Sequence, residues 1–364
     1  MSTYLFMISH PAHFHMFKHV IANLQNKHKI VVVIRPKDVL EQLCINSGLE
    51  YVKVEERPQK YGILGLGISL LQKTSAVWKI VKKERPDLLI GSDGVLAHIG
   101  FLRGIPSFEC YEDDVQVIRL YALLFFPFYA NVISPEVTDA GFWTSKKIGY
   151  AGYQKMTYLH PNYFTPSKAV VEKYFSNKNP YFLLRFSKLD AHHDTGIRGL
   201  NTEVAEHLIA TLKQYGDIYI TSERKLEPQF EKYKLDINPL DIHHIMAYAK
   251  MYIGDSQSMA VEAAMLGIPS VRFSDFAGKV SVLEELEHKY QLTFGIKSDC
   301  PDRLYQKVEE LLEMDDLNEE FQRRRERMLV DKIDVTAFIT WFVENYPESK
   351  KIMRENPNYQ YKFR

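Results

Sequence analysis

Short apolar runs rich in β-branched residues recur along the chain, and segments of helical length separate them. This alternation is typical of parallel βαβ units, whose strands are buried on both faces. We predict strands in two groups: 4–9, 29–35, 51–55, 87–91, 107–110 and 131–134, then 181–186, 217–221, 251–254, 270–273 and 292–296. The pattern indicates two α/β domains, each with a doubly wound parallel sheet.

Residues 149–166 interrupt the alternation with two prolines and an aperiodic, aromatic-rich composition, so we interpret them as a linker. A chain of 364 residues is long enough for two domains. We predict a first Rossmann-like domain at 1–160 and a second at 161–332. Residues 333–364 contain a helical pattern and a basic tail, and we expect this helix to cross back onto the first domain.

A spacing of thirteen residues occurs twice, from Gly91 to Gly104 and from Gly254 to Gly267. Each copy predicts a strand, a polar turn, a helix and a glycine that ends the helix. Internal duplication and the general likeness of βαβ units both account for it. Either way, a polar turn follows a strand in each half, where open α/β sheets bind ligands.

The charges balance, because 46 lysines and arginines match 46 aspartates and glutamates. We therefore expect no nucleic-acid partner, since the positive potential that attracts a polyanion is missing. Cys44, Cys110 and Cys300 lie far apart and suit reduced thiols better than a disulfide framework or a metal site. The first residues lack the basic segment and apolar length of a signal peptide, which favours a cytoplasmic protein.

The most apolar long stretch, 120–133, contains Pro127 and is shorter than a membrane-spanning helix. We predict a buried or partly exposed helix there. Two interpretations stay open: simple core, or a surface that contacts the inner face of a membrane or a lipid-linked acceptor.

The sharpest motif follows the predicted strand 251–254. Asp255 or Ser256 can cap the next helix, whose first amides and positive dipole end suit a phosphate. Gln257 and Ser258 add polar donors. Glu262 is the only charge in the following apolar run, so it needs a hydrogen-bonding partner, which the hydroxyls of a ribose could supply. The alternative is a capped helix with Glu262 on a solvated face.

Three segments together, 254–269, 9–18 and 182–194, resemble a bacterial and archaeal family described as a domain of unknown function. That family is similar to GT-B glycosyltransferases of the MurG kind and to the non-hydrolysing UDP-N-acetylglucosamine 2-epimerases. The resemblance spans about residues 4–312. It implies a GT-B-like fold, two Rossmann-like domains facing a cleft, with the nucleotide on the second domain.

A second group of polar residues follows the first strand of the second domain: Arg185, Ser187, His192 and His193. In the epimerases the matching turn is a His-Arg-Arg segment that contacts the diphosphate, and this sequence lacks that run. A guanidinium and imidazoles can nevertheless donate to phosphate oxygens. The alternative is that Arg185 pairs with an acid and the histidines lie on a surface loop.

Histidines cluster in the first βα turn, at 10–15, with His19 one turn further on. His15 and His19 share a helix face, but no carboxylate accompanies them, so we predict no metal site. His13 is the candidate for a base or for an oxyanion-type contact to the sugar.

Acidic residues follow two first-domain strands. Asp93 and Glu112 fall closest to the epimerase residues that handle protons and the sugar. The register of the second turn stays open across Glu109, Glu112, Asp113 and Asp114, of which Glu112 and Asp113 are taken as catalytic candidates. Clustered carboxylates would raise one another's pKa, which suits a general base near neutrality. Asp93 could instead be a turn residue.

Taken together, these expectations predict a nucleotide-sugar-dependent glycosyltransferase that acts in surface polysaccharide or glycoconjugate biosynthesis. Its donor would be a UDP-linked sugar, its acceptor a saccharide or lipid-linked saccharide, and no cofactor is expected, since helix N-termini and basic groups stabilise the departing diphosphate. The alternatives are a sugar-nucleotide epimerase, a non-catalytic sugar-nucleotide-binding assembly subunit and, more weakly, a metal-dependent hydrolase.

Overall fold

The structure is a computed structural model that describes residues 1–37, 39–54, 62–175, 177, 179–187 and 199–364, with the backbone alone at 62–67. It divides into two compact units. The first unit comprises Met1–Tyr158 and Ile333–Arg364, and the second comprises Leu159–Lys332.

Strands and helices alternate through the first part of the chain. In order they are β1 (Thr3–Ile8), α1 (Pro11–Gln25), β2 (Lys29–Ile34), α2 (Leu40–Ser47), β3 (Val52–Lys53), α3 (Gly62–Glu84), β4 (Leu88–Gly91), α4 (Val95–Arg103), β5 (Ser107–Cys110), α5 (Arg119–Phe125), β6 (Asn131–Pro135), β7 (Lys147–Tyr150) and α6 (Met156–Leu159).

The remaining elements continue this alternation and end in consecutive helices. They are α7 (Lys168–Val171), β8 (Tyr181–Phe186), α8 (Thr202–Leu212), β9 (Asp217–Ser222), α9 (Ile242–Met246), β10 (Met251–Gly254), α10 (Gln257–Leu266), β11 (Ser270–Phe273), α11 (Ser281–His288), β12 (Thr293–Ile296), α12 (Pro301–Leu312), α13 (Leu317–Asp331), α14 (Val335–Glu344) and α15 (Glu348–Glu355).

The first unit is built on a parallel sheet with the strand order β3-β2-β1-β4-β5-β6-β7 among the described residues. β1 is buried on both faces, since Leu5 and Phe6, which point to opposite faces, are both fully buried. β2 lies on one side of β1 and β4 on the other. The strand order therefore reverses between β1 and β4, where such sheets bind ligands.

The second unit contains a parallel sheet with the order β12-β11-β10-β8-β9 among the described residues. Here the order reverses between β8 and β10. Gly254 at the end of β10 pairs with Arg185 of β8. A Cβ atom at Gly254 would lie 2.8 Å from Cβ of Arg185, so only glycine allows this close approach of the two strand ends.

The predicted repeat is confirmed in both units. β4 leads through a turn into α4, and β10 leads through a turn into α10. Both helices end at a glycine in the left-handed region, Gly104 at φ 64° and Gly267 at φ 69°. The two ends differ in their surroundings: the Gln322 amide donates to the carbonyl oxygens of Leu266 and Gly267, at 2.9 and 3.1 Å. A Cβ at Gly104 would meet no atom within 4 Å.

Two predictions about the middle of the chain were wrong in detail. The predicted linker 149–166 begins inside β7, which pairs with β6. The helix predicted in 120–133 is shorter than expected: α5 ends at Phe125, a 3-10 turn covers Phe126–Phe128, and β6 follows. Pro127 explains this end, because proline lacks an amide hydrogen and disfavours helical geometry at the residue before it.

The segment 333–364 returns to the first unit. Its helix α14 lies along α1, where Lys27 forms an ion pair with Glu344 at 2.9 Å. The ring of Phe342 lies 5.5 Å from that of Phe108 in β5. Within the described ranges, none of the helices combines the length and apolarity that crossing a bilayer requires.

Candidate functional site

In the second unit, polar residues gather where β8 and β10 end side by side. Asp255 follows β10 and is buried at 2% exposure. Its carboxylate accepts the amide of Ser187 at 2.7 Å and the amide of Leu200 at 3.2 Å. Burial raises the pKa of Asp255, and these amide bonds oppose the rise. Asp255 therefore joins the end of β8 to the chain at Leu200.

Ser256, not Asp255, caps α10, because its hydroxyl oxygen accepts the amide of Met259 at 3.4 Å. The first-turn amides of α10 and its positive dipole end lie directly beyond the end of β10. Ser258 is exposed in this first turn. The Gln257 side chain is already engaged, since it donates to the Asp255 carbonyl at 3.3 Å and accepts from Arg272 at 3.2 Å.

Glu262 is buried at 8% exposure, so the alternative of a solvated face is wrong. Its carboxylate Oε1 lies 3.3 Å from Nε2 of His243, a residue of α9 that is 3% exposed. The sequence correctly indicated that this acid needs a partner. It did not indicate His243, whose only signal was a pair of consecutive histidines before β10.

Arg272 of β11 is a second residue that the sequence analysis missed. Its side chain is fully buried and donates to Glu287 at 2.8 Å as well as to Gln257. Gly295 makes room for it, because a Cβ there would lie 2.6 Å from the guanidinium. Through Gln257, this guanidinium supports the first turn of α10.

The other predicted nucleotide contacts are only partly supported. Arg185 pairs with Glu223, as the structural alternative anticipated. Ser187 uses its backbone amide to bind Asp255. His192 and His193 lie outside the described residues.

In the first unit, the equivalent edge lies after β1 and β4. Asp93 follows β4 and is 6% exposed. It accepts hydrogen bonds from Ser9 at 2.8 Å, from Lys73 at 3.1 Å and from the amide of Val95 at 3.2 Å. Burial alone would raise its pKa, but the Lys73 ammonium and these hydrogen bonds outweigh burial and lower the pKa. The expectation of a raised pKa was wrong for Asp93.

A raised pKa belongs instead to Glu109, one of the acids in the open register. Burial raises the pKa of Glu109 to about 8, with the hydrogen bonds between Glu109 and the hydroxyls of Tyr129 and Tyr121 opposing and the charge of Asp93 adding to the rise. The Tyr121 hydroxyl donates to Glu109 at 3.0 Å. The Tyr129 hydroxyl donates to the carbonyl of Asp93 at 2.9 Å. Glu109 and Asp93 are therefore linked through a tyrosine.

The remaining acids differ in burial and partners. Glu112 is 9% exposed, accepts the amide of Gln154 at 2.8 Å and forms an ion pair with Lys155. Asp113 is exposed. Asp114 is buried and accepts the amide of Asp139 at 2.6 Å, so its role is to hold a loop.

His13 lies in the first turn of α1, which His10 caps through Nδ1. Burial lowers the pKa of His13 to about 3, and the nearby His10 contributes to this decrease. An imidazole with so low a pKa is neutral near pH 7 and only weakly basic, which favours a hydrogen-bond contact over a role as base. Its Nδ1 is buried and has no hydrogen-bond partner within the described part of the chain. Among those same residues, no group of three or more metal-ligating side chains could hold an ion.

Comparisons with known proteins agree with this architecture. The family model described as "Protein of unknown function (DUF354)" matches residues 5–286. A search of curated proteins found no match.

Solved structures that resemble the chain include UDP-N-acetylglucosamine 2-epimerases and MurG. UDP-GlcNAc 2-epimerase from Neisseria meningitidis, bound to UDP-GlcNAc, has a TM-score of 0.62 and 14% identity over 88% of this chain and 93% of that one. UDP-N-acetylglucosamine 2-epimerase from Rickettsia bellii has a TM-score of 0.64 and 16% identity over 97% of this chain and 98% of that one. MurG from Acinetobacter baumannii has a TM-score of 0.58 and 14% identity over 94% of this chain and 99% of that one. At such low sequence identity the structural similarity establishes the fold alone. It confirms the predicted GT-B-like class of two Rossmann-like domains.

The raised pKa of Glu109 predicts a specific pH dependence of stability. The folded protein holds this proton up to about pH 8, whereas the unfolded chain releases it near the ordinary value of about 4.5, so the free energy of unfolding should fall as pH rises between them. Glu109→Gln cannot ionise and should lose this decrease, which has a slope of at most about 1.4 kcal/mol per pH unit.

Denaturant unfolding of both proteins across that pH range measures the difference. Glu50→Gln, which changes an exposed acid of the same unit, is the control and should keep the wild-type slope. An identical slope in Glu109→Gln would show that Glu109 ionises normally.

Proposed function

The chain belongs to the DUF354 family, and we propose that it is a nucleotide-sugar-dependent glycosyltransferase of the GT-B kind. The observation that supports this most directly is the start of α10 in the second unit. It lies at the point where the order of the sheet reverses, with a buried carboxylate, Glu262, further along the same helix.

The first turn of α10 is suited to a diphosphate. Its amides and dipole favour a negative charge, and the hydroxyls of Ser256 and Ser258 can donate to phosphate oxygens. Asp255 does not oppose this use, since its carboxylate bonds to amides of Ser187 and Leu200. The same groups would stabilise the diphosphate as it leaves the sugar.

Glu262 is the proposed ribose contact. A carboxylate has about four acceptor sites, of which the contact with His243 engages one, and the two hydroxyls of a ribose are the proposed ligand partners. We assign UDP as the nucleotide, by analogy with the solved structure from Neisseria meningitidis that holds UDP-GlcNAc.

The acceptor is assigned to the first unit. His13, with its neutral ring, is proposed to hydrogen-bond the sugar. Asp93 and Glu112 are each held in place by a lysine, which fixes their orientation. One of these carboxylates, or the exposed Asp113 of the same loop as Glu112, is proposed to accept the proton of the acceptor hydroxyl.

Calorimetric titration with UDP, GDP and CMP tests the nucleotide site. We expect UDP to bind, and Glu262→Gln to weaken binding by about 1–3 kcal/mol, or about 5- to 150-fold, because a ribose hydroxyl loses a charged acceptor. Glu319→Gln, an exposed change on α13, should leave the affinity unchanged. If no nucleotide binds the wild-type protein, the proposal is wrong.

Epimerisation of a sugar nucleotide is the second candidate. It needs an acid and a base that exchange protons with a sugar carbon, and such pairs have pKa values displaced in opposite directions. Asp93, with a lowered pKa, and Glu109, with a pKa of about 8, are such a pair in the first unit.

Incubation with UDP-GlcNAc in deuterated water, without an acceptor, separates the two activities. A transferase should give little beyond slow hydrolysis, because its second substrate is missing. An epimerase would produce a new sugar nucleotide that carries deuterium at the inverted carbon. NMR spectroscopy detects both products, and appearance of the deuterated epimer would replace our first proposal with the second.

An exposed apolar patch in the first unit supports the proposal of a lipid-linked acceptor at a membrane surface. It comprises Phe101 and Leu102 of α4 and Leu120, Leu123 and Leu124 of α5, each at least half exposed. The two helices adjoin, since the rings of His98 in α4 and Phe125 in α5 lie 5.1 Å apart. Water-exposed apolar surface of this kind is costly unless a partner covers it.

The charge around the patch favours an anionic lipid surface. No acidic residue occurs in 94–108 or 115–135, whereas Arg103 and Arg119 lie on the two helices of the patch and are exposed. The neighbouring helix α3 adds the exposed Lys79, Lys82 and Lys83. This local excess of positive charge around the patch contrasts with the zero net charge of the whole chain.

Co-sedimentation with vesicles tests the patch. The protein should bind phosphatidylcholine vesicles that contain phosphatidylglycerol, more weakly at high salt, and should bind pure phosphatidylcholine poorly. Leu123→Glu combined with Leu124→Glu should reduce binding at least about tenfold. Ile45→Glu, on the exposed face of α2, is the control. Equal binding by the double variant, or no binding by the wild type, would rule out this contact.

A further inference from the structure

His243 is held rigidly beside Glu262 by the elements around it. It belongs to α9, which contacts both α7 and α10. The ring of Phe164 lies 6.2 Å from the imidazole and nearly perpendicular to it. The ring of the next residue, His244, lies 4.7 Å from the same Phe164 ring, tilted by 35°, and its Nδ1 accepts the amide of Ser167 at 3.1 Å. The imidazole therefore has a defined position before any ligand binds.

The contact restrains a side chain that would otherwise have many conformations. Glutamate has three side-chain torsions, and ordering such a side chain costs up to about 2 kcal/mol of entropy. The Nε2 contact at 3.3 Å holds one oxygen of Glu262, on a helix whose neighbouring residues Val261 and Ala263 are buried. The ordering cost is thus met during folding and not during binding.

We propose that His243 is a positioning residue that orients the Glu262 carboxylate for the ribose of the bound nucleotide. This inference rests on the proposed nucleotide site. His243 acts through Glu262, so its effect should depend on the ribose hydroxyls that donate to Glu262. A ligand that lacks both the 2′- and the 3′-hydroxyl should be far less sensitive to His243 than UDP is.

Calorimetry with UDP and 2′,3′-dideoxy-UDP separates positioning from a general structural role. His243→Leu, which lacks a donor, should weaken UDP binding about 5- to 30-fold and 2′,3′-dideoxy-UDP binding by no more than about twofold. His243→Gln should restore most of the UDP affinity, since its amide can reach the same acceptor as Nε2. His288→Gln, a change at an exposed histidine of the same unit, should have no effect.

The background of Glu262→Gln supplies a second test. In that background His243→Leu should add little, because the two residues act as one unit. Equal losses for both nucleotides, additive losses in the double variant, or failure of His243→Gln to rescue would overturn the role. Should His243→Leu fail to fold, the comparison of His243→Gln with Glu262→Gln on both nucleotides decides the matter. Absence of UDP binding by the wild type would remove the nucleotide site itself, and this role with it.

Discussion

The close approach of β10 to β8 at Gly254 is the constraint on which the candidate nucleotide site depends. With any larger residue, a Cβ atom would meet Arg185 and the hydroxyl of Tyr252, and the two strand ends would separate. Asp255 could then no longer bridge to the amide of Ser187, and the start of α10 would move away from the end of β8. A backbone distance, more than any single charged group, thus determines where the first turn of α10 points.

The buried acids show how a partner determines the chemistry of a carboxylate. Lysine beside Asp93 keeps that group ionised, whereas tyrosine hydroxyls around Glu109 let burial dominate, so that this acid keeps its proton near pH 7. Glu262 has a third type of partner, an imidazole. The buried carboxylates Asp93 and Glu109 of one unit therefore differ in acidity because their partners differ.

The sequence was sufficient for the alternation of strands and helices, for both glycine-capped repeats and for the polar turns after β4 and β10. It was not sufficient for β7, a short strand with a glycine whose residues are only alternately buried. Nor did it reveal the partners of the buried acids. Lys73 and Lys155 are 20 and 43 residues from the carboxylates that they hold, so only the packing of separate elements brings them together.

The first unit is discontinuous in the chain, because Ile333–Arg364 completes it after the whole second unit has intervened. On the ribosome, the contiguous second unit can fold as soon as its own residues emerge, whereas α1 must wait for α14 to cover it. The surface of α1 that contacts α14 is therefore uncovered during most of synthesis, whereas its other side can already pack against β1, β2 and α2. The order of assembly runs opposite to the order of translation, and the late helix closes the earliest part of the chain.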